Sequence, residues 1–156
     1  MITSLKDFKY PKEFDKIKHI IDAVSSNHHY EDEQFKIELY IGDARVYIQD
    51  ISNIDIVYQD AFSSDVNQEL WTTQYFKDIV STLSSQAILL TYSIATPIRM
   101  GMYENGLNIQ EYKYDKKRRA TIGSNFKIDD KEYTLKVIDM EKKKINSPSA
   151  KSLQDT

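Results

Sequence analysis

The sequence contains no cysteine, only four glycines and three prolines, and no excess of basic residues. The lack of cysteine excludes disulfides, thiolate metal sites and cysteine nucleophiles, and it fits a cytoplasmic location. No apolar run approaches the roughly 20 residues that a membrane-spanning helix needs. The net charge of -3 argues against a general polyanion-binding domain, because such domains are usually basic, but it leaves room for a local basic patch.

What the chain does contain is an alternation of helix-like and strand-like patterns. Its 156 residues, with 40% hydrophobic and 29% charged residues, are typical of one globular domain. The patterns predict helices over 10–25, 45–50, 72–83 and 95–105, and strands over 35–41, 54–59, 87–92, 107–114, 120–123 and 133–137. Strands that alternate with helices predict an α/β fold with parallel strands.

Two of the predicted strands differ in character. Residues 35–41 alternate between apolar and polar side chains, as at a sheet edge, whereas 54–59 are nearly continuously apolar, as in a strand buried on both faces. Ligands of open α/β sheets lie beyond the carboxyl ends of the strands. We therefore expect Asp43, Asp60 and Ser93 to lie on one ligand-binding rim.

A longer segment carries a family resemblance. Residues 55–72 contain Asp60-Ala61-Phe62, a short loop, Asn67, and then Leu70-Trp71-Thr72. This resembles the signature of MnmC-type methyltransferases, although Gln68 stands where that family usually has proline. Weaker matches follow in 90–95, at Arg99, in Gly106-Leu107 and in the basic run 117–119, and the whole resemblance covers about 35–123.

The resemblance implies a Rossmann-like class I methyltransferase fold of α/β type, with strand order 3-2-1-4-5-7-6. The family's glycine-rich loop, which wraps the methionine part of the cofactor, is not matched, because no two of the four glycines are close enough to form it. We expect 1–124 to be the C-terminal part of such a domain, without its first two strands, and 125–156 to be a partly disordered tail. In this interpretation 35–41 is strand 3 and 54–59 is strand 4.

The resemblance also implies a reaction and partners. The family transfers a methyl group from S-adenosylmethionine to the 5-aminomethyl amine of a 2-thiouridine at the tRNA wobble position. It is often fused to a flavin-dependent oxidoreductase, and nothing in this chain resembles that partner. The expected partners are therefore tRNA, such an oxidoreductase, and a second copy or another chain that supplies the missing strands.

The acidic residues at the expected rim have two interpretations each. By resemblance, Asp43 and Ala44 would bind the adenine, and Asp60 and Ala61 would complete the cofactor site. A carboxylate at Asp60 could also orient the substrate amine and stabilise the positive charge that develops on it. The alternatives are a turn or helix cap for Asp43 and a loop cap for Asp60.

The remaining candidates would bind the substrate. They are aromatic, polar and basic: Phe62, Asn67, Trp71, Ser93, Lys117, Arg118 and Arg119. Phe62 and Trp71 could frame a flipped base, but Trp71 also begins an apolar helical stripe that favours core packing. The basic run could contact tRNA phosphates or be a solvated face. His28 and His29 have no partner at ligand spacing, so no metal site is predicted.

Three functions stay open on the sequence alone. The chain is a methyltransferase domain that is impaired or inactive by itself, a non-catalytic RNA- or protein-binding module, or half of an enzyme whose cofactor loop comes from another chain. Binding of S-adenosylhomocysteine would distinguish the last from the first two.

Overall fold

The computed structural model describes residues 8–113, 118–129, 135–147 and 150–155. Contacts divide the chain into two compact units, one up to Asp43 and one from Ala44 onward. The first unit contains a 3₁₀ helix, Lys12–Ile17, followed by α1 (Lys18–Asn27), β1 (His29–Glu31) and β2 (Lys36–Glu38). The second contains the short 3₁₀ helices Ile48–Asp50 and Gln68–Leu70 and these elements: α2 (Ala44–Tyr47), β3 (Ile54–Tyr58), α3 (Thr73–Thr82), β4 (Leu83–Thr91), α4 (Thr96–Glu104), β5 (Asn108–Lys113), β6 (Arg119–Ser124), β7 (Leu135–Val137) and α5 (Met140–Asn146).

The first unit corrects two expectations. No element was predicted between the helix over 10–25 and the strand over 35–41, yet 29–31 form β1, which pairs antiparallel with β2. The Asp32 carboxylate accepts hydrogen bonds from the backbone N–H groups of Gln34 and Phe35, at 2.8 and 3.0 Å, and this turns the chain back on itself. The strand expected over 35–41 is therefore shortened to 36–38, and its three residues are exposed.

The second unit is built on a five-stranded mixed sheet in the order β3-β4-β6-β5-β7. β3 is parallel to β4, and every other pairing is antiparallel. The first four strands match the order 4-5-7-6 that the resemblance implies, with β6 inserted between β4 and β5. Within the described part of the second unit, no strand pairs with the outer side of β3, so β3 is an edge strand.

Helices α3 and α4 supply much of the core that packs on this sheet. α3 is capped by Thr72, whose hydroxyl accepts a hydrogen bond from the Tyr75 N–H at 3.2 Å. α4 begins at Thr96, with Pro97 in its first turn. It ends before Gly106, which adopts a φ of 87° that favours glycine. A Cβ added at Gly101 would lie 3.0 Å from the Phe76 ring, so the absence of a side chain there lets α4 approach α3 closely.

Two further expectations differ from the structure. β3 is not buried on both faces, since Ile56 is 50% and Tyr58 is 76% exposed. A helix in the tail was not predicted, yet α5 forms and buries Met140 in the core. The strand expected over 133–137 is present over its described residues as β7, while 133 and 134 lie outside them. The division at residue 124 stays a prediction.

No helix among the described residues is both long and apolar enough to cross a membrane.

Candidate functional site

A small cavity opens where the neighbouring parallel strands β3 and β4 reach their carboxyl ends. The strands are in register there, with Tyr58 opposite Leu90. The cavity has a volume of about 250 Å³ and is lined by Tyr58, Gln59, Asp60, Leu90, Thr91, Tyr92 and Ala120. Ligand sites of open α/β sheets lie at this end of the strands, which makes the cavity the candidate functional site.

The loop from Asp60 to Trp71 is held in place by three side-chain hydrogen bonds. The buried amide of Gln59 donates to the Leu70 carbonyl at 2.5 Å, and the Trp71 indole N–H donates to the Ala61 carbonyl at 2.9 Å. The Tyr92 hydroxyl donates to the Phe62 carbonyl. Both ends of the loop are therefore fixed against the sheet, and Asp60 is left exposed at the cavity.

The two aromatic residues expected at this site have different environments. Phe62 is 82% exposed, so its ring is available to a ligand. Trp71 is 1% exposed and packs edge-on against Tyr92, with ring centroids 6.0 Å apart. The Trp71 ring is therefore part of the packing that holds the loop, and it is not accessible to a substrate base in this structure.

Asn67 lies within the same loop and is half-buried. Its backbone N–H donates to the Ser63 carbonyl at 3.0 Å, and its Oδ1 is buried without a hydrogen-bond partner among the described residues. Asn67 Oδ1 could therefore accept a hydrogen bond from a substrate only if the loop shifted.

Sequence reasoning missed the two tyrosines that flank Asp60 at the cavity. Tyr58 is largely exposed at the end of β3, and Tyr92 is half-exposed just after β4. Both line the cavity with Asp60, and the Tyr92 hydroxyl donates to the carbonyl of exposed Phe62; we call these three aromatic residues the aromatic mouth. Eleven tyrosines are spread along the chain, so nothing in the local sequence separated these two from the tyrosines that pack.

Beside the cavity, Ser93 is linked to a buried polar network. The Ser93 N–H donates to the Thr91 hydroxyl at 3.1 Å, and the Ser93 carbonyl accepts from the Thr121 hydroxyl at 2.6 Å. Thr121 in turn accepts from Arg99 Nε at 2.8 Å, and Arg99 Nη2 donates to Glu111 Oε2 at 2.8 Å. Both charged side chains are buried.

Electrostatics in this network favour the ionised carboxylate. The hydrogen bond from Arg99 holds the pKa of Glu111 below its ordinary value, against the opposing effect of burial. A second guanidinium, that of Arg119, lies 3.5 Å from Glu111 Oε1 and adds to the same effect. Glu111 therefore carries a negative charge that interacts with the guanidinium groups of both arginines.

The other predicted residues are placed as follows. Asp43 is exposed at the end of the first unit, and half-buried Ala44 begins α2 of the second unit. Arg118 and Arg119 are exposed at the start of β6, next to Ala120 of the cavity, and Lys117 lies outside the described residues. In the described part of the chain no group of three or more His, Asp or Glu side chains has an arrangement suited to a metal ion.

A mixed sheet in this order, with a loop site at the carboxyl ends of β3 and β4, defines the α/β class I methyltransferase fold. Residues 12–144 match the family described as S-adenosyl-L-methionine-dependent methyltransferases. Because this match covers most of the chain, the protein belongs to that family.

Curated relatives share about a third of their residues with the chain over the matched parts. It is 31% identical to an uncharacterized protein of Methanocaldococcus jannaschii over 120 residues, which cover 70% of this chain and 34% of that protein. It is 31% identical over 98 residues to a tRNA 5-methylaminomethyl-2-thiouridine biosynthesis bifunctional protein MnmC of Paracidovorax citrulli, covering 62% of this chain and 15% of that one. The chain thus spans about a third or less of the length of these relatives.

Solved structures share the fold. MnmC2 from Aquifex aeolicus superposes with a TM-score of 0.74 at 24% identity, over 94% of this chain and 47% of that chain. A probable spermidine synthase from Corynebacterium glutamicum superposes with a TM-score of 0.56 at 14% identity, over 88% of this chain and 61% of that one.

The residues that the structure describes do not form a complete site for S-adenosylmethionine. The cavity of about 250 Å³ is smaller than the roughly 300–1,000 Å³ of small-molecule sites. The four glycines, Gly42, Gly101, Gly106 and Gly123, form no glycine-rich loop, and Gly101 and Gly123 instead allow close packing within the second unit. What the cavity does offer is one carboxylate, hydroxyl groups and aromatic rings, a set suited to an acceptor rather than to the whole cofactor.

Proposed function

We propose that this cavity is the acceptor site of a tRNA-modifying methyltransferase, which takes the 5-aminomethyl amine of a wobble 2-thiouridine. The observation that carries the proposal is the exposed Asp60 carboxylate in a cavity that Tyr58 and Tyr92 also line, at the edge of the sheet where Arg119 begins β6. The MnmC relatives, which are named for this tRNA modification, support the choice of substrate. A cytoplasmic location is part of the proposal.

Asp60 has a defined task in this proposal. Transfer of a methyl group to an amine requires a neutral nitrogen lone pair and leaves a cation. A carboxylate within hydrogen-bond reach orients the amine and stabilises that developing charge. The three hydrogen bonds that fix the Asp60 loop hold the carboxylate in place without reorganisation during the reaction.

The aromatic mouth would hold the base. A cavity below the usual size of small-molecule sites suits one unpaired base, and stacking on an aromatic ring contributes roughly 1–3 kcal/mol per base. Phe62, Tyr58 and Tyr92 are the exposed rings available for it. Asn67 and Ser93 would border the base, and Arg118 and Arg119, with Lys117, would contact the phosphates.

By itself the chain would transfer methyl groups poorly. Asp43, Ala44, Asp60 and Ala61 are the proposed cofactor contacts, and without a glycine-rich loop they would bind S-adenosylmethionine weakly or not at all. This favours a second candidate function, an RNA-binding module without catalysis. In the first candidate function, a separate chain that supplies the glycine-rich loop, as in a split enzyme, would restore catalysis. A flavin-dependent oxidoreductase would be the partner that makes the amine.

Two binding measurements on the purified chain test the proposal. Calorimetry with S-adenosylmethionine is expected to show no binding at micromolar concentrations. An anticodon stem-loop that carries 5-aminomethyl-2-thiouridine is expected to bind more tightly than the same RNA with uridine. Equal affinity for both RNAs would contradict an acceptor site, and tight cofactor binding would contradict the weak-binding part.

Asp60→Asn isolates the carboxylate. We expect about a fivefold loss of the preference for the amine-bearing RNA, since a partly exposed ion pair contributes about 1 kcal/mol. Asp65→Asn removes an exposed charge from the same loop and is the matched control. If a polypeptide that carries the cofactor loop restores methyl transfer, Asp60→Asn should reduce the rate about a hundredfold, or about 3 kcal/mol. Restored transfer would also exclude the purely RNA-binding function.

A further inference from the structure

The polar network beside the cavity connects two of the proposed substrate contacts. At one end, the Ser93 carbonyl accepts from Thr121; at the other, Arg119 lies 3.5 Å from Glu111. The buried Arg99–Glu111 pair joins them, through Arg99 Nε to Thr121 and Arg99 Nη2 to Glu111, both at 2.8 Å. The network therefore runs from the end of β4 to the start of β6.

Fold stability alone does not explain a buried ion pair at this position. Removing two charges from water is costly, and a well-packed apolar pair of the same size often stabilises a fold as well or better. The carboxylate of Glu111 is also divided between two arginines, one buried and one at the surface. Its Oε2 faces Arg99 and its Oε1 faces Arg119, whose side chain is 47% exposed.

We propose that Glu111 is a positioning residue that fixes the Arg119 guanidinium for an RNA phosphate. A guanidinium has five N–H donors in a rigid fork, so contact with one carboxylate oxygen leaves donors that face solvent. Arg119 begins β6, and because β6 is antiparallel to β4, with Thr121 opposite Thr91, it lies at the edge of the sheet where β4 ends. This inference rests on the proposed function, because the phosphate is that of the nucleotide whose base enters the cavity.

Arg99 has the complementary task in this arrangement. It holds Glu111 from the buried side and, through Thr121, fixes the backbone of Ser93 beside Thr91. The same pair is therefore linked to the backbone after β4 and to the guanidinium at the start of β6, which lie at one edge of the sheet. An arginine without this support would sample many rotamers and lose entropy on binding.

A double-mutant cycle in RNA binding tests the positioning role. The variants are Arg119→Ala, Glu111→Gln and both together, each titrated with the anticodon stem-loop at several salt concentrations. Arg119→Ala is expected to reduce affinity about fivefold and to reduce the salt slope by roughly 0.7–0.9. Glu111→Gln should cause a similar loss in the presence of Arg119 and no further loss in its absence. Glu69→Gln, which removes an exposed negative charge, is the control and should not weaken binding.

Each outcome of this cycle either supports or overturns the positioning role of Glu111. If Glu111 only neutralises Arg119, Glu111→Gln will tighten binding, and the inference is overturned. Additive losses overturn it too, since they show that Glu111 acts without Arg119. If the wild-type chain does not bind the RNA, the proposed function fails first; if Arg119→Ala weakens binding but Glu111→Gln does not, only the inference fails.

A variant that keeps the charge guards against loss of fold. Glu111→Asp leaves a carboxylate near Arg99 but shortens the side chain, so the contact with Arg119 should be lost. Thermal melts would confirm that it folds, and the same non-additive loss of RNA affinity is expected. Wild-type affinity in a folded Glu111→Asp variant would contradict the positioning role.

Discussion

Strands β3 and β4 are adjacent, parallel and similarly apolar, yet β4 is the more deeply buried of the two. In β4 the side chains of Ala87, Leu89 and Thr91 are almost completely buried, and Ile88 and Leu90, which lie opposite Ile56 and Tyr58, are half-buried. In β3 half of the Ile56 side chain and most of Tyr58 are exposed. The nearly continuous apolar run of 54–59 had predicted burial on both faces for β3.

The difference arises from neighbours that are distant in sequence. β4 lies between β3 and β6, whereas β3 has a partner on one side only among the described strands of its unit. β4 also packs under the core of α3 and α4, to which Leu89 belongs. An apolar run therefore indicates which side chains of a strand could be buried. The pairing of strands in the tertiary structure determines which of them are buried.

The largest expected effect is a difference in stability between equivalent truncations in the two strands. Leu89→Ala should lower the free energy of unfolding by about 2–5 kcal/mol, because it leaves a cavity in the core. Ile56→Ala should cost about 1 kcal/mol, because much of that side chain is already in water. Urea unfolding measures both, and equal losses would show that β3 is covered in solution.

The parts of the fold that follow from local pattern were predicted correctly. The helices predicted over 72–83 and 95–105 and the strands predicted over 107–114 and 120–123 have local signals, and the structure confirms them as α3, α4, β5 and β6. α5 was missed because its run of lysines is typical of a solvated segment, and only Met140 anchors it in the core.

The site was only partly predictable for a related reason. Asp60 and Phe62 follow a recognisable strand end, so pattern and resemblance both indicated them. The network of Arg99, Glu111 and Thr121 joins a helix to two strands that pair at a distance, and no local signal marks such contacts. Tyr58 was assigned to packing because the exposure of an edge strand cannot be deduced from its composition.

A second expected effect concerns the free edge of β3. Two arrangements could cover this edge: residues 35–41 could pair with β3, or a second chain could. In the structure 36–38 pair with β1, which leaves the second chain. An unpaired apolar edge favours pairing with another chain, so we expect concentration-dependent association. Ile56→Lys should shift sedimentation toward the monomer, and Ile145→Lys, at an exposed position of α5, should not.

Hydrogen exchange sharpens this prediction. In a dimer formed through β3, amides on both sides of the strand should be protected, and protection on the outer side should be lost on dilution. A well-folded monomer at high concentration, protected on the β4 side only, would contradict an association through this edge.

A smaller effect is expected in the pH dependence of stability, to which a buried carboxylate and an exposed one should contribute differently. The pKa of Glu111 is lowered chiefly by its hydrogen bond from Arg99, and that of Glu38 by its hydrogen bond from Lys36. A lowered folded-state pKa gives stability that is present above the unfolded-state pKa and is lost as the pH falls through the folded-state value. Only Glu111 is buried, so Glu111→Gln should flatten the acid side of the stability profile, whereas Glu38→Gln should leave it unchanged. Identical acid profiles for Glu111→Gln and the wild type would exclude this contribution.

The smallest expected effect on stability is that of Tyr58, at the exposed end of β3. The same residue links the exposure of β3 to the proposed function. Because most of the ring is in water, Tyr58→Ala should change the free energy of unfolding by less than about 0.5 kcal/mol. If the ring stacks on a base, the same variant should weaken RNA binding by about 1 kcal/mol or more, and Tyr58→Phe, which keeps the ring, should bind like the wild type. Fluorescence anisotropy with the anticodon stem-loop measures this, with urea unfolding of the same samples. A loss of affinity in Tyr58→Ala at unchanged stability would mean that β3 exposes this ring for binding, whereas unchanged affinity would remove Tyr58 from the proposed aromatic mouth.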